Sequence, residues 1–207
     1  MTHFVLLIII PKQIYNKGHE AIMQYIEEMM APYDEGLEVE THITHTREEL
    51  EKAYLEFKNK NPDQGYDTMK LWCEEYKGYD LDENGNAVSN YNMKSIWDWY
   101  VIGGRWDGIL TENRQYSQSG FNFGDNHHTI DNNCISVEDF LNKYNNNKKQ
   151  NTYGVMIDGN GVLHEGEKYG WFGTSKETME KEDWNVRYER VLNNFKDDYI
   201  INLDCHI

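Results

Sequence analysis

The chain has 207 residues, with 36 acidic side chains against 20 basic ones and a formal charge of −16; hydrophobic residues make up 39% and aromatics 14%. That length fits one domain, or one domain carrying a large insertion, and the apolar content argues against global disorder. A field of this sign repels phosphate backbones, which argues against duplex nucleic acid bound through a basic face. Two readings of the acid stay open. It forms a solvated surface that keeps the protein soluble, or it is functional, imitating DNA phosphates or meeting a basic partner.

Phe4 to Ile10 is a continuous run of Val, Leu and Ile after Phe, closed by Pro11. It lacks a basic leader and a small-residue cleavage site, so it reads as no signal peptide, and no other stretch has the length of a membrane span. A run this short and β-branched reads as a strand buried on both faces, hence central in its sheet. Ala21, Ile22, Tyr25, Ile26, Met29 and Met30 form one helical stripe ending near Pro32. Leu37, Val39, Thr41 and Ile43 alternate with polar residues, which predicts a half-exposed strand over 37–45. Thr46 and Glu49 have the spacing of a capping box, opening a helix to about Lys60.

Past this point the chain turns polar at Asn61 to Gly65, then suggests a short helix through Met69, Trp72, Cys73 and Tyr76. A second helix is predicted over 136–144 with Ser136 as cap, followed by a polar tract, Asn145 to Asn151, read as a surface loop. Tyr153, Val155 and Ile157 lead into the tight-turn sequence Asp158-Gly159-Asn160-Gly161 and a return strand at Val162 and Leu163. Trp184, Tyr188, Val191, Leu192 and Phe195 share a helical face. The final strand, Tyr199 to Ile207, alternates Ile201, Leu203 and Cys205 with Asn202, Asp204 and His206. Strands near 4–10, 37–45, 153–157 and 199–206 predict an α+β, ferredoxin-like split β-α-β sandwich. Its halves would be residues 1–60 and 151–207, and the aromatic-rich insertion 61–150 would cover the open sheet face.

The densest segment is Trp97-Asp98-Trp99-Tyr100-Val101-Ile102-Gly103-Gly104-Arg105-Trp106. Trp97, Trp99, Tyr100 and Trp106 offer flat stacking surfaces, Gly103 and Gly104 allow close approach, and Arg105 supplies a fork of donors suited to phosphate or carboxylate. These are ingredients for holding a planar, anionic molecule such as a nucleotide. The competing reading is that the tryptophans are simply the core on which the insertion packs. His206 and Asp204 share a face of the last strand and His164 follows the hairpin, so they are candidates for an acid–base pair or for further polar contacts. His42 and His45, three apart on a strand, point to opposite faces unless a bulge intervenes. His127-His128 falls in a Gly/Asn-rich loop.

No established cofactor or metal signature is present. The stretch Asp80-Leu81-Asp82-Glu83-Asn84-Gly85 opens like a calcium loop, but Tyr91 stands where the bidentate Glu belongs, so a solvated turn is expected. Gly159-x-Gly161 meets His164 in place of a third glycine, and the phosphate-binding, zinc-protease and nucleophile-elbow motifs are missing. Cys73, Cys134 and Cys205 are far apart and odd in number, pointing to a reducing, cytoplasmic setting with neither disulfides nor a cysteine zinc site.

The set Trp97-Asp98-Trp99-Tyr100-x-Ile102-Gly103-Gly104-Arg105-Trp106, Asp158-Gly159 with His164-Glu165, Gly170-Trp171-Phe172-Gly173 and terminal Asp204-Cys205-His206-Ile207 resembles a group of uncharacterised phage and mobile-element proteins. The resemblance covers roughly 97–207 and implies a setting: small proteins of the host cytosol that blunt host immunity, some by sequestering nucleotide immune signals. The leading expectation is therefore a binding protein without cofactor or metal. It would capture a nucleotide-like ligand through Trp97, Trp99, Tyr100, Gly103, Gly104, Arg105, Trp106, His164, Asp204 and His206. Two alternatives stand beside it: an acidic, DNA-mimicking inhibitor of a host defence protein, and a nucleotide-cleaving hydrolase or lyase using histidines. A homo-oligomer is compatible with all three.

Overall fold

The first and last strands of the chain lie side by side. In the computed structural model, which describes residues 3–112, 129–144, 154–156, 162–164 and 181–207, β1 (His3–Ile10) is followed by short helix α1 (Lys12–Tyr15) and by α2 (His19–Met30). Next come β2 (His42–His45), α3 (Arg47–Lys60), the short α4 (Met69–Leu71), β3 (Asp80–Leu81) and β4 (Ala87–Ser89). β5 (Trp99–Ile102), α5 (Ile130–Asn133), β6 (Cys134–Ser136) and α6 (Val137–Tyr144) complete the middle of the chain. The last elements are β7 (Gly154–Met156), β8 (Val162–His164), α7 (Lys181–Asn193) and β9 (Tyr199–His206). The class is α+β. No helix among the described residues is long and apolar enough to cross a membrane.

The main sheet runs β5-β9-β1-β7-β8, with β6 pairing on a further stretch of β9. β1 and β9 pair antiparallel over eight rungs, from His3↔His206 to Ile10↔Tyr199, while β1 and β7 pair parallel through Leu6↔Gly154. Residues directly opposed in a ladder share a face. Phe4, Leu6, Ile8 and Ile10 therefore join Ile201, Leu203 and Cys205 on the first face, under Ile22, Ile26 and Met30 of α2. On the second face Val5, Leu7, Ile9 and Ile200 meet Leu110, Phe140 and Leu141 of the middle segment and Leu192 of α7. Burial on both sides is what the unbroken apolar run in β1 requires.

The ferredoxin-like arrangement is not formed as expected. Its last–first–third strand adjacency is present as β9-β1-β7, but β8 takes the edge where that topology places the second strand. The second strand, β2, pairs instead with β4 in a separate three-stranded sheet, β2-β4-β3. The chain divides into two compact units, one of 1–35 with 94–207 and the other of 36–93. The stretch 61–150 is accordingly not one insertion. Its first third belongs with α3 and β2 around Leu50, Trp72, Cys73 and Ala87, while residues 94–112 and 129–144 are woven into the main sheet as β5 and β6 and cover parts of both its faces.

Most local signals are realised closely, but the half-exposed strand expected over 37–45 forms only at His42–His45, with Leu37 and Ile43 exposed. Thr46 Oγ1 accepts from the Glu49 amide and Glu49 Oε2 accepts from the Thr46 amide at 2.8 Å, so both halves of the capping box form. Those bonds hold the Glu49 carboxyl below its ordinary pKa. Ser136 Oγ accepts from the Asp139 amide at 3.0 Å, capping α6. The calcium-loop lookalike is a turn in which Asp82 accepts from the amides of Asn84 and Asn86 and from the Asn86 side chain. A register shift between Ile43 and His45 supplies the bulge that strict alternation lacks. The turn 158–161, the tract 145–151, His127-His128 and Gly170 to Gly173 lie outside the described residues.

All three cysteines are buried and free. Burial, reinforced by Asp131, pushes the Cys134 thiol up to about 12; burial also raises Cys73 and lifts Cys205 well above its ordinary value. A thiol reagent applied near pH 8 should therefore modify no cysteine rapidly in the native protein and three after unfolding, with fast native labelling counting against the packing described. Leu7, fully buried on the second face, should cost about 2–5 kcal/mol as Leu7→Ala in urea unfolding. Exposed Leu55 should change stability by only about 0.5 kcal/mol as Leu55→Ala.

Candidate functional site

One end of the second face is polar. Successive positions of β9 on that side are Ile200, Asn202, Asp204 and His206, and β1 contributes His3 beyond the apolar Val5, Leu7 and Ile9. Buried polar groups require partners, and His3, Asp204 and His206 have them. His3 Nδ1 lies 2.8 Å from Asp204 Oδ1, with the two side chains only 8% and 3% exposed. Asp204 Oδ2 accepts from the backbone amide of Arg105 at 2.9 Å. His206 Nδ1 lies 2.6 Å from Asp98 Oδ1, and the Asp98 amide in turn donates to the His206 carbonyl. A carboxylate accepts only, so in both pairs the imidazole donates from Nδ1.

The register brings the rings together. His3 and His206 are directly opposed, their centroids 4.9 Å apart at 72°. Trp99 pairs with His206 from the other side of β9; its indole stacks on that ring at 5.2 Å and 13° and meets His3 edge-on at 5.3 Å. The result is a compact group of two imidazoles, one indole and two carboxylates drawn from β1, β5 and β9 and from Asp98 just before β5.

Gly103 and Gly104 hold the loop that meets Asp204 of this group. Both have positive φ, 71° and 52°, a region costly for residues with a Cβ. A Cβ on Gly103 would strike the Asn133 amide, and one on Gly104 would strike the Asp204 side chain. Asn133 secures the loop from within: its Nδ2 donates to Asp107 Oδ1 at 2.7 Å and to the Thr129 carbonyl at 3.0 Å, and its Oδ1 accepts from the Gly108 amide. Asn202 Nδ2 donates to the Trp106 carbonyl at 3.1 Å, while its buried Oδ1 has no partner among the described residues.

The residues singled out by sequence divide among different places. Trp99, Gly103, Gly104, Arg105, Asp204 and His206 come together at the polar end, with the Arg105 side chain exposed. Trp97 and Tyr100 sit on the first face, edge-on to each other at 4.8 Å within the core under α2, and Trp97 Nε1 donates to the Met30 carbonyl at 3.3 Å. Burial raises the Tyr100 hydroxyl above its ordinary pKa, with Glu27 adding to it. Trp106 packs against the second-face cluster. The backbone of His164 pairs with Gly154, in the row of Leu6 and Leu203 rather than of Asp204 or His206, and β1 and β7 separate β8 from β9. Its side chain lies outside the described residues.

Sequence reasoning overlooks His3 and Asp98. The signal for His3 is positional: two eight-residue strands paired flush place the third residue of the chain beside its penultimate one. Among the described residues no group of three or more His, Cys, Asp or Glu has the disposition of a metal site. The chain matches no protein-family model, no curated protein and no solved structure.

Gly104→Ala should lose about 1–3 kcal/mol in urea unfolding, from its strained φ and the collision with Asp204. Gly65, where an added Cβ would meet no atom within 4 Å and φ is not positive, should tolerate Ala within about 0.5 kcal/mol.

Proposed function

We propose that the polar end of the main sheet binds a small, planar, anionic ligand of nucleotide type. The observation that supports this reading most is the juxtaposition of His3 and His206 with Trp99 against both rings. Two imidazoles whose Nδ1 atoms are taken by carboxylates present Nε2 as the remaining polar atom, suited to phosphate oxygens when protonated. An indole edge or face beside them suits a base. The chain's charge of −16 gives an anion no long-range attraction, so affinity must come from local donors, and the exposed Arg105 side chain is the proposed source. Its backbone amide is engaged by Asp204, a bond that survives truncation of its exposed side chain.

In the setting implied by the phage-type resemblance, the protein acts in the host cytosol and sequesters a nucleotide immune signal, countering host defence. Titration of a panel of mononucleotides and dinucleotides by calorimetry tests the binding. Arg105→Ala and Trp99→Ala should each weaken the best ligand at least about tenfold, the equivalent of 1.4 kcal/mol, with the Arg105 variant keeping its melting temperature. Trp97→Ala should instead lower stability by about 3–5 kcal/mol, the usual cost of a buried Trp. Binding lost only in step with melting temperature would reduce these residues to packing, and a panel with no ligand would end the reading.

A further inference from the structure

The two imidazoles are held as reagents as well as contacts. Asp204 fixes Nδ1 of His3 and Asp98 fixes Nδ1 of His206, so a neutral ring in either place keeps its proton on Nδ1 and its lone pair on Nε2. Among the described residues no hydrogen bond reaches either Nε2, and neither atom is among the buried polar atoms left without a partner. Both therefore keep contact with solvent. Two such atoms on opposed residues, with ring centroids 4.9 Å apart, are placed to take a proton at one point of a bound molecule and to return one at another.

The polar residues that β1, β5 and β9 place on this face are His3, Trp99, Asn202, Asp204 and His206, and none is a hydroxyl or thiol nucleophile. Cys205 belongs to the first face, and burial keeps its thiol protonated. Attack by a hydroxyl or thiol from these strands is thus not available, and displacement by water is.

We infer that His3 and His206 form a general acid–base pair that hydrolyses a phosphodiester bond in a nucleotide-type ligand; this rests on the binding site proposed above and makes the fate of the ligand cleavage in place of sequestration. The imidazole that is neutral accepts a proton from water at Nε2 as the water oxygen bonds to phosphorus. The bond from phosphorus to the leaving ribose oxygen breaks, and the protonated neighbour gives its Nε2 proton to that oxygen. One water is consumed, a phosphomonoester and an alcohol are formed, and no atom changes oxidation state. The rings end with exchanged protonation states and reset through solvent. Asp98 and Asp204 are positioning residues, which set the tautomer and offset the charge of the imidazolium.

The test incubates the full chain with two probes, a dinucleotide with a natural ribose–phosphate linkage and the p-nitrophenyl ester of a nucleoside monophosphate. Cleavage of the dinucleotide should follow a bell-shaped pH profile and fall about 10²–10⁴-fold in His3→Ala and in His206→Ala. One of these variants should retain most of its rate on the p-nitrophenyl ester, whose leaving group needs no proton, and so identify the acid. Asp98→Asn should lower kcat with little change in KM. A dinucleotide bound but recovered intact would overturn the hydrolysis and leave the binding reading standing. Absence of both binding and cleavage would overturn both. Equal losses on the two probes in both histidine variants, matched by loss of folded protein, would assign the histidines a structural role and overturn the proposal.

Discussion

The antiparallel pairing of β1 with β9 is the constraint on which the main unit depends. It joins the third residue of the chain to the penultimate one and continues for eight rungs. Every other strand of the main sheet attaches to this pair directly or through β7, and both hydrophobic clusters of the unit are built on its alternating residues. Because side chains alternate with period two, a one-residue slip would exchange the faces, putting His206 and Asp204 under α2 and Leu203 among the polar group. With one face lined by apolar residues throughout and the other apolar only to Val5, that slip is strongly disfavoured. Register is thus set by burial, and the site is a consequence of register.

The polar end is also where backbone and side chains make mutual demands. Asp204 would be a costly buried carboxylate if it lacked partners; it has His3 on one oxygen and the Arg105 amide on the other. The amide reaches it only because Gly103 and Gly104 adopt conformations closed to other residues and bring the loop against the strand. Asn133 then anchors the far side of the same loop. The Gly-Gly-Arg segment therefore has a structural task in its backbone that does not depend on the Arg105 side chain. That division makes substitution of the side chain informative.

Much of the local structure is legible in the sequence because its causes are local. The unbroken apolar run of β1, the stripe of α2, the caps at Thr46 and Ser136 and the alternation of β9 each act within a few residues. Pairing partners are not legible. A short segment such as β2 carries no signal for which sheet receives it, and it joins β4 while β8 takes the edge of the main sheet. The tryptophan-rich segment reads as one stacking platform, yet strand alternation sends Trp99 and Tyr100 to opposite faces, and Trp97 joins Tyr100 in the core. His3 carries no signal of its own because its carboxylate partner is 201 residues away in sequence.

The proposed binding site and reaction both depend on the two imidazoles being held through Nδ1, which leaves Nε2 for a ligand, and long-range ¹H–¹⁵N correlation spectra of the histidine rings measure this. Across a pH titration His3 and His206 should keep a proton on Nδ1, with Nε2 alone gaining or losing one. A neutral His3 or His206 protonated at Nε2, with Nδ1 bare, would contradict the pairing with Asp204 and Asp98 and remove the chemical basis for both the binding site and its proposed reaction.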